Sequence, residues 1–201
     1  SSKIDKPGTF VINDEMKMEK ELISGISFSK NEAKITITGL PDKPGVSANV
    51  FGPLADANIN VDMIVQNVSQ DGKTANLTFT LPQSELNKAV KVLEEIKKII
   101  KFDLYSTDNK VAKVSAIGMG MRSQAGVAKK MFMALGQQNI NILAISTSEI
   151  KISVLINEDY TELAVKSLHS IYGLDWLFSL LILMVIRNDI VRETFQRSKR
   201  K

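Results

Sequence analysis

One block of this chain occurs twice, and that repetition limits its possible folds more than any other feature. AKITITGL at residues 33–40 returns as AKVSAIGM at residues 112–119, about 79 positions later. Beyond it, Gly45-Val46, Phe51, Leu54 and Asn58-Ile59-Asn60 return as Gly126-Val127, Phe132, Leu135 and Asn139-Ile140-Asn141, about 81 positions on. A period of this size is a small domain rather than a solenoid repeat. Two tandem copies of one unit follow, and 201 residues are enough for each to bury a core.

The hydrophobic pattern gives each copy its elements. Residues 34–39 alternate apolar and polar, as a strand with one covered face does. Residues 45–57 place Val46, Val50, Leu54 and Ala57 at helical spacing. A strand over 60–69 turns at Asp71-Gly72 into a second over 74–81. Leu86, Val90, Leu93, Ile96 and Ile100 then make the apolar stripe of a helix over 84–100. The second copy reads as strand 111–118, helix 125–138, strands 142–148 and 151–156, and helix 159–172, with Gly173 just past its end. Residues 102–106 are an edge strand or connector, and residues 22–28 are an extra strand available to either sheet.

The fold expected is α+β: two tandem ferredoxin-like units, each an antiparallel sheet with both helices on one face. Residues 19–106 form the first and 107–175 the second. Residues 1–18 read as a linker from an upstream domain, and 176–201 as an atypical apolar-basic tail.

Composition removes several kinds of chemistry. With no cysteine there is no disulfide, thiolate metal site, iron–sulfur cluster or Cys nucleophile. A single histidine, His169, rules out a multi-histidine metal site and reads as an exposed helix residue. No metal site is expected. The net charge of +4 resides in residues 187–201, leaving the body neutral, so nucleic acid is not an expected partner. The first strand of each copy also lacks an aromatic residue on which a base could stack. Residues 176–186 are nearly all apolar, but a bilayer span needs about 20 such residues. The tail leaves one alternative role, that of a membrane-peripheral or adaptor protein. Residues 1–15 lack the apolar stretch of a signal peptide.

The loops before each copy's first helix are the candidates for ligand chemistry. In Leu40-Pro41-Asp42-Lys43-Pro44-Gly45 two prolines stiffen the approach, and Gly45 admits a ligand close to the backbone. The first N–H groups of the helix and its dipole favour a carboxylate, while Asp42 suits an ammonium group. A rigid turn and nothing more is the competing reading. The second loop keeps Gly126-Val127 without the prolines. Its Gly118-x-Gly120 starts like a dinucleotide fingerprint, but Ser123 stands where the third glycine belongs. Asn58, Asn60, Asn139 and Asn141 could recognise a small polar ligand through their carboxamides, or simply end helices. Gln66, Ser69 and residues 146–149 could line a pocket or face solvent. No acid–base pair, nucleophile–base pair or metal cluster stands out, so no catalytic residue is assigned.

Taken in order, KITITGLPDKPGVSANVFGPLADANINVDMIVQNVS and DGKTANLTFT resemble the first ACT domain of an aspartokinase. VAKVSAIGMGMRSQAGVAKKMFMALGQQNINILAISTSEIKISVLI resembles the second. The likeness covers about residues 19–175 and includes both loops, both NIN returns, QNVS and STSEI. It implies a regulatory module that binds L-lysine, L-threonine or both and feeds inhibition back onto the ATP-dependent phosphorylation of L-aspartate. Carried over by motif, one site uses Asp42, Gly45, Ser47, Asp62 and Gln66, joined by Asn139, Asn141 and Ile142 of the other copy. A second draws on Met121, Ser123, Gly126, Val127, Ser148 and Glu149.

The resemblance further implies a cytoplasmic homodimer working with an aspartokinase catalytic domain or subunit. No cofactor is expected in this chain, because ATP and Mg would bind the kinase domain. No KFGGTS-like phosphate-binding segment is present, so catalysis by this chain alone is not expected. Gln124-Ala125 replaces the His-Pro pair of some relatives, and the tail after Asp175 has no counterpart in the family.

Overall fold

A computed structural model describes residues 23–70, 72–118 and 126–174. Six strands form one sheet: β1 (Gly25–Pro41), β2 (Asp62–Val68), β3 (Thr74–Pro82), β4 (Leu104–Ile117), β5 (Ala144–Thr147) and β6 (Lys151–Asn157). Four helices accompany them: α1 (Val46–Asp56), α2 (Leu86–Ile99), α3 (Val127–Gln137) and α4 (Thr161–Ile171). The strand order is β2-β3-β1-β4-β6-β5, with antiparallel pairing throughout.

The two long central strands explain how two small units make one sheet. Ile35 to Ile37 of β1 pair with β3 on one side and with the start of β4 on the other. The first segment of β1, Gly25 to Ser29, instead pairs with Ile117 to Lys113 of β4, beside β6. The extra strand thus joins the second copy's sheet, while residues 104–108, which overlap the edge strand or connector expected at 102–106, complete the first copy's sheet. The division at 106/107 passes through a continuous strand. Register shifts between Ser29 and Glu32, and between Glu32 and Lys34, mark the crossover on β1.

Each half has its own core. Ile35, Ile37, Leu77, Phe79 and Leu81 of the first sheet pack under Val50 and Leu54 of α1 and Leu93 and Ile96 of α2. Phe51 meets Phe79 edge-on at 5.3 Å between ring centroids. In the second half Val114, Ala116, Val154 and Ile156 pack under Met131 and Leu135 of α3 and Ala164 and Leu168 of α4. Each fully buried Leu, Ile or Phe contributes roughly 1.5–3 kcal/mol, so these two clusters are the main source of stability.

A third, smaller cluster joins the halves: Met63 of β2 packs on Val111 of β4 and Leu155 of β6, with Leu143 and Ala144 beside it. Val111 and Leu155 alternate with residues of the second core, so they belong to the helix-free face of that half's sheet. Hydroxyl pairs stand on the same face of each half, Thr36 with Thr78 at 3.0 Å and Ser115 with Ser153 at 2.8 Å.

The helix ends follow one device used twice. After α1, Asn58 takes φ +54, its N–H bonds Ala55 O at 2.7 Å, and the Ile59 N–H bonds Leu54 O at 3.0 Å. After α3, Asn139 takes φ +57, with matching bonds to Gly136 O and Leu135 O. This is a left-handed cap with the following isoleucine buried against the helix. Backbone geometry therefore accounts for Asn58 and Asn139 as residue types. His169 is half-buried rather than exposed.

Candidate functional site

The loop into α1 has the geometry that its glycine suggested. Gly45 sits at φ +89 as the N-cap residue, and no side chain caps the helix start. A Cβ there would meet nothing within 4 Å, so only the backbone conformation asks for glycine. The Asp42 N–H bonds Lys73 O at 3.0 Å, tying the loop to the β2–β3 turn and leaving the Asp42 side chain exposed. Gly126 repeats the arrangement at φ +111 before α3, again without a side-chain cap.

Ser47, in the first turn of α1, donates its hydroxyl to Gln66 Oε1 on β2 at 2.9 Å. These two expected site residues are therefore together, where the first turn of α1 meets the edge strand β2. Asp62 begins the same strand four residues earlier but is engaged elsewhere. Its Oδ2 accepts from Lys113 Nζ at 2.7 Å, and its Oδ1 accepts from the Met63 N–H at 2.8 Å. Lys113 also pairs with the buried Glu32 at 2.8 Å. The Lys113 hydrogen bond holds the Asp62 pKa below the usual carboxylate value, against the opposing effect of burial. Burial disfavours the Lys113 charge, but Asp62 and Glu32 outweigh it and raise its pKa.

The remaining expected residues lie in the second half. Asn139 and Asn141 are exposed after α3, and Ile142 packs at the margin of the second core. Among the described residues no hydrogen bond joins Ser47 or Gln66 to these three. Val127 is buried in the second core beneath Tyr172, whose hydroxyl donates to the Val127 carbonyl at 2.8 Å. Ser148 is held by its own hairpin, its N–H bonding Lys151 O at 2.8 Å, and Glu149 is exposed at the same turn. Met121 and Ser123 lie outside the described residues, as does the tail. A groove of about 460 Å³ between α3 and α4, lined by Leu163, Lys166 and Ile171 among others, contains none of the expected residues.

Residues 32–96 and 114–172 match the ACT domain family, one match to each copy of the repeat. The regulatory subunit of aspartate kinase from Thermus thermophilus, in a ligand-free form, superposes with a TM-score of 0.70 at 35% identity, over 75% of this chain and 98% of that one. This chain belongs to the aspartokinase family, as a regulatory region with two ACT domains. The aspartate kinase of Pseudomonas fluorescens is 52% identical over 170 residues, covering 84% of this chain and 41% of the relative. The chain thus spans about two-fifths of the length of that relative. Escherichia coli aspartokinase III in complex with lysine and aspartate, in its T-state, matches at a TM-score of 0.57 and 26% identity, over 76% of this chain and 34% of that one.

Lys113, Glu32 and Met63 were not among the residues expected to matter. One signal was available. Lys113 is the repeat counterpart of Lys34, and each stands inside a strand between residues of the buried face. A lysine so little exposed favours a carboxylate partner, and Lys113 has two close ones where Lys34 has a single contact at 4.0 Å. Among the described residues no group of three or more His, Cys, Asp and Glu could hold a metal ion. No helix among them is long and apolar enough to cross a membrane.

Proposed function

We propose that this tandem-ACT region is an amino-acid sensor that regulates an aspartokinase catalytic domain or subunit, with L-lysine, L-threonine or both as effectors. The observation that carries the reading is the uncapped start of α1 at Gly45 with Ser47 bonded to Gln66 beside it. Free N–H groups at a helix start bind a carboxylate, and the helix dipole favours its charge. The Gln66 carboxamide and the exposed Asp42 carboxylate suit the ammonium end of the same zwitterion. The E. coli relative's complex with lysine supports lysine as one effector.

Asn139, Asn141 and Ile142 complete the site across a second copy of the chain. The two outer strands, β2 and β5, carry exposed Ile64, Val68 and Ile145, which supports pairing between copies. Regulation then needs only that the effector bind one arrangement of the assembly better than another. Coupling of about 1–3 kcal/mol is the usual scale.

Calorimetric titration of the chain with L-lysine and L-threonine, separately and together, tests this. Saturable heat with either is expected, and Ser47→Ala and Asp42→Asn should each weaken it about tenfold, the loss of one charge-assisted contact. A folded chain that takes up neither amino acid would overturn the reading.

A further inference from the structure

Met63 is the only buried residue other than glycine with a positive φ, +46, among the described residues. A long apolar side chain adopts the left-handed region only when its surroundings compel it, and such outliers point to a role. The fold itself does not compel this one. In the second copy the corresponding pair is Leu143-Ala144, and neither has a positive φ.

The strained turn sends two neighbouring side chains into the other half. Met63 enters the cluster with Val111 and Leu155, and Asp62 reaches Lys113 at 2.7 Å. The β2–β3 register breaks between Asp62 and Val65, the ladder irregularity that this turn produces. Lys113 extends the link through the buried Glu32 to the crossover of β1. Lys34 forms no matching clamp: its carboxylate contact is Asp108 at 4.0 Å, and Leu143 in the position of Asp62 offers no charge. The link is therefore one-sided, running from β2 of the first half to the helix-free face of the second. The same β2 carries Gln66, the partner of Ser47.

We infer that Asp62-Met63, Lys113 and Glu32 form a latch that fixes β2 against the second half of the chain. A ligand that moves the Ser47–Gln66 end of β2 then acts on the second half through this latch; that consequence rests on the effector reading, whereas the latch itself does not.

The absence of cysteine makes the chain suited to paired spin labels. Cysteines introduced at the exposed Asn67 of β2 and Lys166 of α4 report the distance between β2 and the second half by pulsed electron resonance. Without ligand, the chain otherwise unaltered should give one narrow distribution. Met63→Gly and Lys113→Gln should each at least double its width, while the counterpart variant Lys34→Gln should leave it narrow. Two latch variants guard against one failing to fold, and cooperative thermal unfolding verifies both. Unchanged widths in folded Met63→Gly and Lys113→Gln overturn the latch. With saturating L-lysine or L-threonine, the mean distance should shift in the unaltered chain but not in the latch variants, which should keep their affinity within threefold. A shift that persists in both variants overturns transmission through the latch. Absence of calorimetric binding counts against the effector reading alone, and the ligand-free widths still decide the latch.

Discussion

The two ACT domains share a sequence plan, yet they spend their polar residues differently. Lys34 and Lys113 occupy equivalent positions, but only Lys113 sits between two carboxylates at hydrogen-bonding distance. Ser47 reaches Gln66, whereas Ala128 and Thr147 hold the equivalent positions in the second domain and cannot form that bond. Equivalent backbones thus support an outward-facing polar pair in the first domain and, in the second, a lysine that grips the first. Duplication sets the scaffold, and a few substitutions decide which copy holds and which is held.

The largest expected effect separates the two lysines. Lys113→Met leaves Glu32 buried without its cation, and breaking such a pair costs about 3 kcal/mol or more. Lys34→Met removes a contact to a half-exposed Asp108 and should cost less than about 1 kcal/mol. Urea unfolding of both variants checks this, and equal losses would mean that the two positions are not differently used.

The next comparison should show no difference between domains. Asn58 and Asn139 both end helices in the left-handed region, so replacement by Ala should cost about 1 kcal/mol in each. Replacement by Gly should be nearly neutral in each, because glycine adopts this conformation readily. A large loss from Gly at one site would show that its carboxamide makes a contact absent from this chain alone, and would identify that domain as the one using it.

Much of this was legible in the sequence, for a physical reason. Local periodicity reports burial, so α1 to α4 and the strands of each copy follow from where Val50, Leu93, Val114 or Leu168 recur. Strand partnership is not local. Nothing in GISFS says that it pairs with KVSAI rather than with its own domain, because either sheet would accept it. The bulges at the β1–β4 crossover shift the register there, and no alternation pattern announces them. Among the site residues, Gly45 and Gly126 were legible as the repeated glycines before each first helix, whereas their left-handed backbone is set by the loop geometry that the structure shows. Asp62 entered only through the resemblance, as an effector-site residue, and its partner Lys113 was not legible because it lies 51 residues away in the other domain.

The domains should also differ in their response to pH. Asp62 is more acidic in the folded chain than its ordinary value of 3.8, so its contribution is present above that pH and lost as pH falls through the lowered value. Asp62→Asn should flatten the acid limb of the stability curve. Burial pushes the Tyr172 phenol from 10.0 to about 12, so its contribution is complete below pH 10 and disappears as pH rises toward 12. Thermal unfolding of Tyr172→Phe should therefore lose less stability than the unaltered chain between pH 10 and 12, with no change on the acid side. An alkaline limb identical in both would show that Tyr172 ionises as freely folded as unfolded.

The smallest expected effect on stability carries the most information about function. Ser47 and Gln66 are bonded near the surface, where water replaces a lost partner, so Ser47→Ala should change stability by less than about 0.5 kcal/mol. Ala128→Ser, which gives the second domain the missing hydroxyl, should be equally silent. Effector affinity separates the pair, because only the first domain has a carboxamide placed to meet that hydroxyl. Calorimetry should show weaker binding for Ser47→Ala and none of that loss for Ala128→Ser. If both variants bound alike, the helix starts at Gly45 and Gly126 would be equivalent to a ligand, and the difference between domains would lie in the latch at Lys113 rather than in the site it serves.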